Sequence, residues 1–285
     1  MRVGFVGLGR MGRPMASRVH GAGFSVVGQD VAPEACEQLR AEGLEVADSI
    51  GGLSECEIVC CSLPDTPQVA EVCTGPGGLF DVLTSGSVVV DLSTISVSGS
   101  RQIAAQADAH GIGFLDAPVS GTSIHAEAGT LAIMVGGPAA VLERVEPVLA
   151  SFSMHVERVG DNGAGLQLKL VSNRLITSYL TSIAEAVVAL ERTGLDVERS
   201  IEIIRAGAAP RQLDYKSDSL RMRDFTPKFT VDLMRKDLRL ADEALPPTRM
   251  AAVAHEILDH AEQAGFGDSD LASLITVVER YMEGL

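Results

Sequence analysis

A short β-rich run, Arg2 to Val6, leads directly into Gly7-Leu8-Gly9-Arg10-Met11-Gly12, after which Met15, Ala16 and Val19 continue at helical spacing. Strand, glycine turn and helix in that order allow few folds. Gly7 suits the tight turn, Gly9 lets a pyrophosphate approach the backbone, and Gly12 lets the helix pack on a sheet. The helix N-terminus then offers N–H groups and the positive end of its dipole to the phosphates. Such a glycine pattern says little in isolation; between a strand and a helix it predicts a dinucleotide site.

A second strand, Phe24 to Gly28, runs into Gln29-Asp30. A carboxylate at that position can accept hydrogen bonds from the adenosine ribose hydroxyls and repels a 2′-phosphate. Val31, Ala32 and Pro33 follow, with no arginine to clamp a phosphate, so NAD is preferred over NADP. The plainer alternative is an aspartate that merely opens the turn before Pro33.

Helix and strand patterns then alternate. Pro33 to Ala41 reads as a helix, Glu57 to Leu63 and Ser87 to Leu92 as buried strands, Ser100 to His110 as a helix and Gly113 to Val119 as a strand. Thr130 to Val135, a helix through Leu149 and a strand from Met154 to Val159 complete the series. This is an α/β, Rossmann-type domain with a mainly parallel sheet. Ligands bind such sheets at the carboxyl ends of the strands. That places Leu63-Pro64, Ser93-Thr94 and Ser120-Gly121-Thr122 on one rim. The last three bring backbone N–H groups and two hydroxyls, a fit for a carboxylate that needs no full charge.

A boundary falls at Gly160-Asp161-Asn162-Gly163, giving domains 1–162 and 163–285. From Gly165 to Arg192 the pattern is one long helix, roughly 42 Å at about 1.5 Å per residue. Its apolar positions wrap well around the axis, so it must be buried on more than one side, between domains or against another subunit. Further helices are expected at 196–206, 210–220, 229–245, 248–264 and 269–281, an all-α second domain.

The start of the long helix carries a single cation, Lys169, among Leu166, Leu168, Leu170 and Val171, with Asn173 one turn later on the same face. Burial among those side chains would lower the lysine pKa and suit it to general acid–base work. A snorkelling lysine beside a helix N-terminus is the competing reading. Lys236 also stands among leucines, but with Asp232 four residues before it; spacing alone favours a solvent-facing pair.

Charge narrows the function. With 23 basic against 38 acidic residues and a formal net charge of −15, the chain lacks the basic face that nucleic-acid binding needs. No apolar run reaches the length of a membrane span, and the strand pattern starts at once, so no leader and a cytoplasmic location are expected. The five cysteines lack metal-ligand spacing. No metal is expected.

Four motifs occur in order: Gly7-x-Gly9-x-x-Gly12, Asp116-Ala117-Pro118-Val119-Ser120-Gly121, Gly163-x-Gly165-x-x-x-Lys169-x-x-x-Asn173 and Lys236-Asp237-Leu238-x-Leu240-Ala241. Together they resemble the β-hydroxyacid dehydrogenase family, over nearly the whole chain. The resemblance implies a Rossmann domain and an all-helical domain joined by a long helix, in a homodimer or homotetramer. It implies that Lys169 is the catalytic acid/base, that Asn173 positions a small carboxylate-bearing substrate, and that Ser120, Gly121 and Thr122 bind the carboxylate. Thr94 would lie near the nicotinamide, Leu63, Pro64 and Gln68 would line NAD, and Lys236 would close the site, against the reading from spacing.

The sequence also departs from the family. A second glycine is common where Thr122 stands, so its side chain should narrow or rehydrate the carboxylate pocket, and a smaller residue is common at His125, which could reach the distal end of the substrate. The implied reaction is hydride transfer between NAD and a 3-hydroxy acid, 3-hydroxyisobutyrate first, with tartronate or succinic semialdehyde reduction as alternatives. Decarboxylation of the 6-phosphogluconate type is disfavoured by Ser172 before Asn173, and imine reduction by the presence of Lys169. A non-catalytic assembly module would have no physical reason to keep Lys169, Asn173 and Asp30. Arg211, Lys228 and Phe229 are candidates for reading the far end of the substrate.

Overall fold

The computed structural model describes residues 1–206 and 213–283, which form two compact units, Met1–Lys169 and Leu170–Leu285. The first contains strands β1 (Arg2–Val6), β2 (Ser25–Gln29), β3 (Glu45–Val46), β4 (Ile58–Cys61), β5 (Val88–Asp91), β6 (Gly113–Asp116), β7 (Val119–Ser120), β8 (Leu131–Gly136) and β9 (Ser153–Gly160). Its helices are α1 (Gly12–Gly21), α2 (Pro33–Ala41), α3 (Thr66–Thr74), α4 (Leu79–Val82), α5 (Val97–Ala109), α6 (Ser123–Ala128) and α7 (Ala139–Leu149).

The strands form one sheet in the order β3-β2-β1-β4-β5-β6-β8-β7, with β9 pairing β8. The first six run parallel; β8 is antiparallel to β6 and β7, and β9 is parallel to β8. The strand order therefore reverses between β1 and β4, the place where such sheets take a nucleotide. Every residue of β4 and β5 is buried, as central parallel strands covered on both faces require. Phe5, Met15, Leu39, Leu115 and Phe152 are among the fully buried side chains of this core, each stabilising it by roughly 1.5–3 kcal/mol.

The long helix α8 (Ala164–Arg192) leads into the second unit, followed by α9 (Val197–Ala206), α10 (Leu213–Met222), α11 (Val231–Ala244), α12 (Arg249–Gln263) and α13 (Leu274–Glu283). Leu180 of α8 packs with Val231, Met234, Leu238, Ile257 and Leu258, and Ile183, Val187 and Val188 pack with Ile201, Leu220, Ile275 and Val278. Gly194 (φ +74°) closes α8, a left-handed stop that glycine takes without a Cβ penalty.

Several elements differ from expectation. The strand expected from Gly113 to Val119 breaks after Asp116, because Pro118 has no N–H for a ladder; β7 beyond it turns back along β8, with Pro118 O accepting from Met134 N. Helix α5 starts at Val97 rather than Ser100, because Ser96 caps it by accepting from Gly99 N. The segment expected to be helical from 269 starts as a 3-10 turn, Leu271–Ser273, capped by Asp270. Helices α4 and α6 span only four and six residues, too few for apolar spacing to be read in sequence, whereas α3, as long as α2, is not among the expected helices despite its Asp65 cap and the proline in its first turn. Among the described residues no helix is long and apolar enough to cross a membrane.

Candidate active site

At the carboxyl end of β1 the backbone passes through Gly7 with φ +91°, and its N–H donates to Gln29 O at 3.0 Å. A Cβ on Gly7 would sit 2.2 Å from Ser62 O, and one on Gly12 would sit 1.8 Å from Gly7 O. The turn after β1 and the one after β4 thus pack backbone to backbone. A Cβ on Gly9 would meet nothing within 4 Å, so protein packing does not require glycine there, whereas a close-lying phosphate would. Gly12→Ala must open this turn. Affinity for a nicotinamide dinucleotide is expected to fall at least about tenfold, the effect of only about 1.4 kcal/mol, as measured by fluorescence titration with NADH and NADPH; unchanged affinity for both would mean that no dinucleotide uses the turn.

Asp30, just past β2, accepts from Leu8 N at 2.6 Å through one carboxylate oxygen and from Ala32 N at 2.8 Å through the other. It therefore opens the turn before Pro33, as the plainer reading had it, and also ties down the glycine loop. A carboxylate can take about four donors, so ribose hydroxyls can add to these two. The β4 and β5 rims are joined: Ser93 Oγ accepts from Leu63 N at 2.9 Å, and Thr66 Oγ1 accepts from Ser96 N at 3.0 Å. This ties the Leu63-Pro64 turn after β4 to the loop after β5 that carries Thr94. Gln68 is exposed on α3, and Arg10 is exposed at the start of α1.

Asp116 holds the start of α8. Its carboxylate accepts from Gly163 N at 2.7 Å and Leu166 N at 3.2 Å. Burial pushes its carboxyl above the ordinary aspartate value, while the Gly163 and Leu166 N–H groups oppose that shift. A Cβ on Gly165 would lie 2.3 Å from Met134 O and 2.8 Å from Asp116 O. Gly165 thus answers a close approach of backbone and Gly163 a positive φ of +93°.

Lys169 is 7% exposed. Leu166 and Leu170 are fully buried beside it in sequence, but Leu168 and Val171 are 41% and 48% exposed. The expected apolar surround is therefore one-sided: Leu166 and Leu170 lie on the buried side of the helix, and Leu168 and Val171 on its exposed side.

In the second unit, Asn173 is buried and its Nδ2 donates to Asp237 Oδ2 at 2.5 Å. Lys236 Nζ lies 3.0 Å from Asp237 Oδ1 and its side chain is 15% exposed, while Asp232 meets Arg235 at 3.6 Å. The solvent-facing reading of Lys236 is therefore replaced by a buried carboxylate, Asp237, placed between Lys236 and Asn173. Asp237 was missed as a site residue, although a charged residue at a core-facing position of α11 was the available signal.

Thr122 is buried and does not stand alone: its Oγ1 lies 3.0 Å from His125 Nδ1. Lys228 and Phe229 are half-buried, with their N–H groups given to Asp270 at 3.0 and 3.1 Å; Arg211 lies outside the described residues. All five cysteines are free and buried, and burial pushes the Cys60 thiol up to about 12, so it is inert near neutral pH. Among the described residues no group of three or more His, Cys, Asp or Glu side chains could hold a metal ion.

A family model described as the NAD binding domain of 6-phosphogluconate dehydrogenase matches residues 2–160, and one described as NAD-binding of NADP-dependent 3-hydroxyisobutyrate dehydrogenase matches residues 163–278. The 2-(hydroxymethyl)glutarate dehydrogenase of Eubacterium barkeri is 36% identical over 287 residues, covering 98% of this chain and 95% of the relative. The 2-hydroxy-3-oxopropionate reductase of Escherichia coli (strain K12) is 33% identical over 287 residues, covering 98% and 97%. Among solved structures, 3-hydroxyisobutyrate dehydrogenase from Salmonella typhimurium matches with a TM-score of 0.89 at 30% identity, covering 97% of this chain and 99% of that one.

Sheet order and glycine turn define a dinucleotide-binding dehydrogenase fold. The chain belongs to the β-hydroxyacid dehydrogenase family, whose members depend on NAD or NADP and differ in substrate.

Proposed function

We propose that this protein oxidises a small 3-hydroxy acid with NAD, 3-hydroxyisobutyrate first among the candidates, with Lys169 as general acid/base. The observation that carries the reading is a buried lysine one helical turn before a buried asparagine whose amide is already oriented by Asp237. The functional division in this reading falls at Asn162–Gly163, with residues 1–162 the NAD-binding domain, which also supplies the Ser120–Thr122 loop, and 163–285 the helical substrate and dimerisation domain.

In this reading Gly7, Leu8, Gly9, Arg10, Met11 and Gly12 cradle the pyrophosphate, and Asp30 accepts the ribose hydroxyls and disfavours a 2′-phosphate. Leu63, Pro64, Gln68 and Thr94 line the dinucleotide. NAD, when bound, supplies the acceptor for the hydride. Ser120, Gly121 and Thr122 hold the substrate carboxylate. Asn173 positions the hydroxyl, and Lys169, neutral at the outset, takes its proton as the hydride leaves and returns it in reduction. Lys236 closes over the site, held by Asp237.

A homodimer or homotetramer in the cytoplasm completes the proposal. Leu168, Val171 and Leu175, at i, i+3 and i+7 of α8, are 41%, 48% and 51% exposed, the kind of stripe a second copy would cover.

The test is a panel of hydroxy acids followed by NADH absorbance, with NADP in parallel. Hydroxyisobutyrate should give the highest kcat/KM, with NAD preferred. A better rate with glycerate, 4-hydroxybutyrate or 2-(hydroxymethyl)glutarate would reassign the substrate, and a preference for NADP would remove the role given to Asp30.

A further inference from the structure

The loop read as the carboxylate holder contains a side-chain contact that no general feature of the fold requires. Thr122 N donates to His125 Nδ1 at 3.1 Å, and Thr122 Oγ1 lies 3.0 Å from the same nitrogen. A backbone N–H can only donate, so Nδ1 must accept. The ring is therefore neutral, with its proton on Nε2. His125 is also anchored from behind, its carbonyl accepting from Thr130 N at 2.8 Å, and Ala126 N donates to Thr122 O at 3.0 Å. The ring closes over Gly121, which has φ +133°: a Cβ there would lie 2.9 Å from His125 Cβ and 2.7 Å from Leu131 Cδ2. Gly121 can thus take no other side chain, and Thr122 can turn only if His125 lets go.

We propose that His125 is a positioning residue for the substrate loop: its unprotonated Nδ1 holds Thr122 and keeps Ser120, Gly121 and Thr122 in one conformation before the carboxylate arrives. The Thr122 N–H is committed to His125 and is therefore not among the groups this loop offers to the carboxylate. This rests on the carboxylate-binding reading of the loop and assigns His125 no contact with substrate. The arrangement is a capping box in which histidine replaces the usual Glu or Gln three residues after the cap. Glutamine at that position can reach the same N–H, whereas alanine cannot.

The test is His125→Ala beside His125→Gln in the full-length protein, with melting temperature recorded for both. The alanine variant is expected to raise KM for the hydroxy acid about five- to tenfold, with kcat nearly unchanged and NADH affinity intact, and the glutamine variant to recover most of the loss. Nitrogen NMR of the free protein should show His125 protonated on Nε2 alone. An alanine variant with wild-type KM would overturn the proposal. So would a glutamine variant as impaired as alanine, which would mark a direct substrate contact through Nε2, or a ring protonated on Nδ1. If no hydroxy acid is turned over, the proposed function fails, and the tautomer measurement still decides whether the loop is held in this way.

Discussion

Replacing Lys169 with alanine is expected to cut turnover by roughly 10²–10⁴-fold, the usual contribution of a positioned acid or base, while the dinucleotide cofactor binds as before. The reasoning is geometric. Lys169 is buried at the first turns of a helix whose start is fixed by Asp116 through Gly163 and Leu166, so its ammonium has little freedom to wander. Lys169→Arg separates the two jobs a lysine can do there. Arginine keeps the positive charge but cannot give up its proton, so it should be about as inactive as alanine if proton transfer is the role. Steady-state NADH absorbance at saturating hydroxy acid, with NAD affinity from fluorescence, reads both quantities. Near-normal turnover in either variant would remove Lys169 from the chemistry.

The second large effect concerns stability, at a buried ion pair. Lys216 and Asp270 contact one another in the second unit with both side chains almost wholly buried. Asp270 also accepts from Lys228 N, Phe229 N and Ala272 N at 3.0, 3.1 and 3.0 Å. Burial pushes the Lys216 ammonium below its ordinary value against the pull of Asp270. For Asp270 burial acts upward, but Lys216 and the Ala272 N–H outweigh it and hold the carboxyl below its ordinary value.

Asp270→Leu leaves a buried cation without this carboxylate and three N–H groups without their acceptor. It should destabilise by about 3–5 kcal/mol, lowering the melting temperature by about 10 °C or more. Lys216→Met should cost less, because those N–H groups still face the anion. Urea titration of both variants measures the difference; equal losses would refute the asymmetry. The pH dependence has a definite sign. A carboxyl depressed on folding stabilises above its unfolded value, about 3.9, and that contribution is lost as pH falls through the lower folded value. Asp270→Leu should lack this acid step.

How much was legible beforehand differs by element. Helix α2 starts at Pro33 and ends at Ala41, as its proline and apolar spacing predict, and α8 begins one residue before its expected start. The turn after β1 could be read because glycines there answer local constraints: a positive φ at Gly7 and a contact at Gly12 that admits no side chain. The neighbourhood of Lys169 could be read only in part. Four apolar neighbours in sequence gave no way to tell Leu166 and Leu170, which are buried, from Leu168 and Val171, which are not.

The sequence by itself determined the alternation of the main strands and helices, the glycine turn after β1 with Asp30 behind it, and the lysine and asparagine one turn apart on a single helix. These follow from periodicity and from residues whose backbone geometry is their own. The partners of buried polar groups were decided only in three dimensions: Asp237 between Asn173 and Lys236, His125 holding Thr122, Asp116 capping α8 and Lys216 meeting Asp270. Most of these pairs join residues tens of positions apart, and the cost of leaving a buried charge or amide without a partner is what selects them.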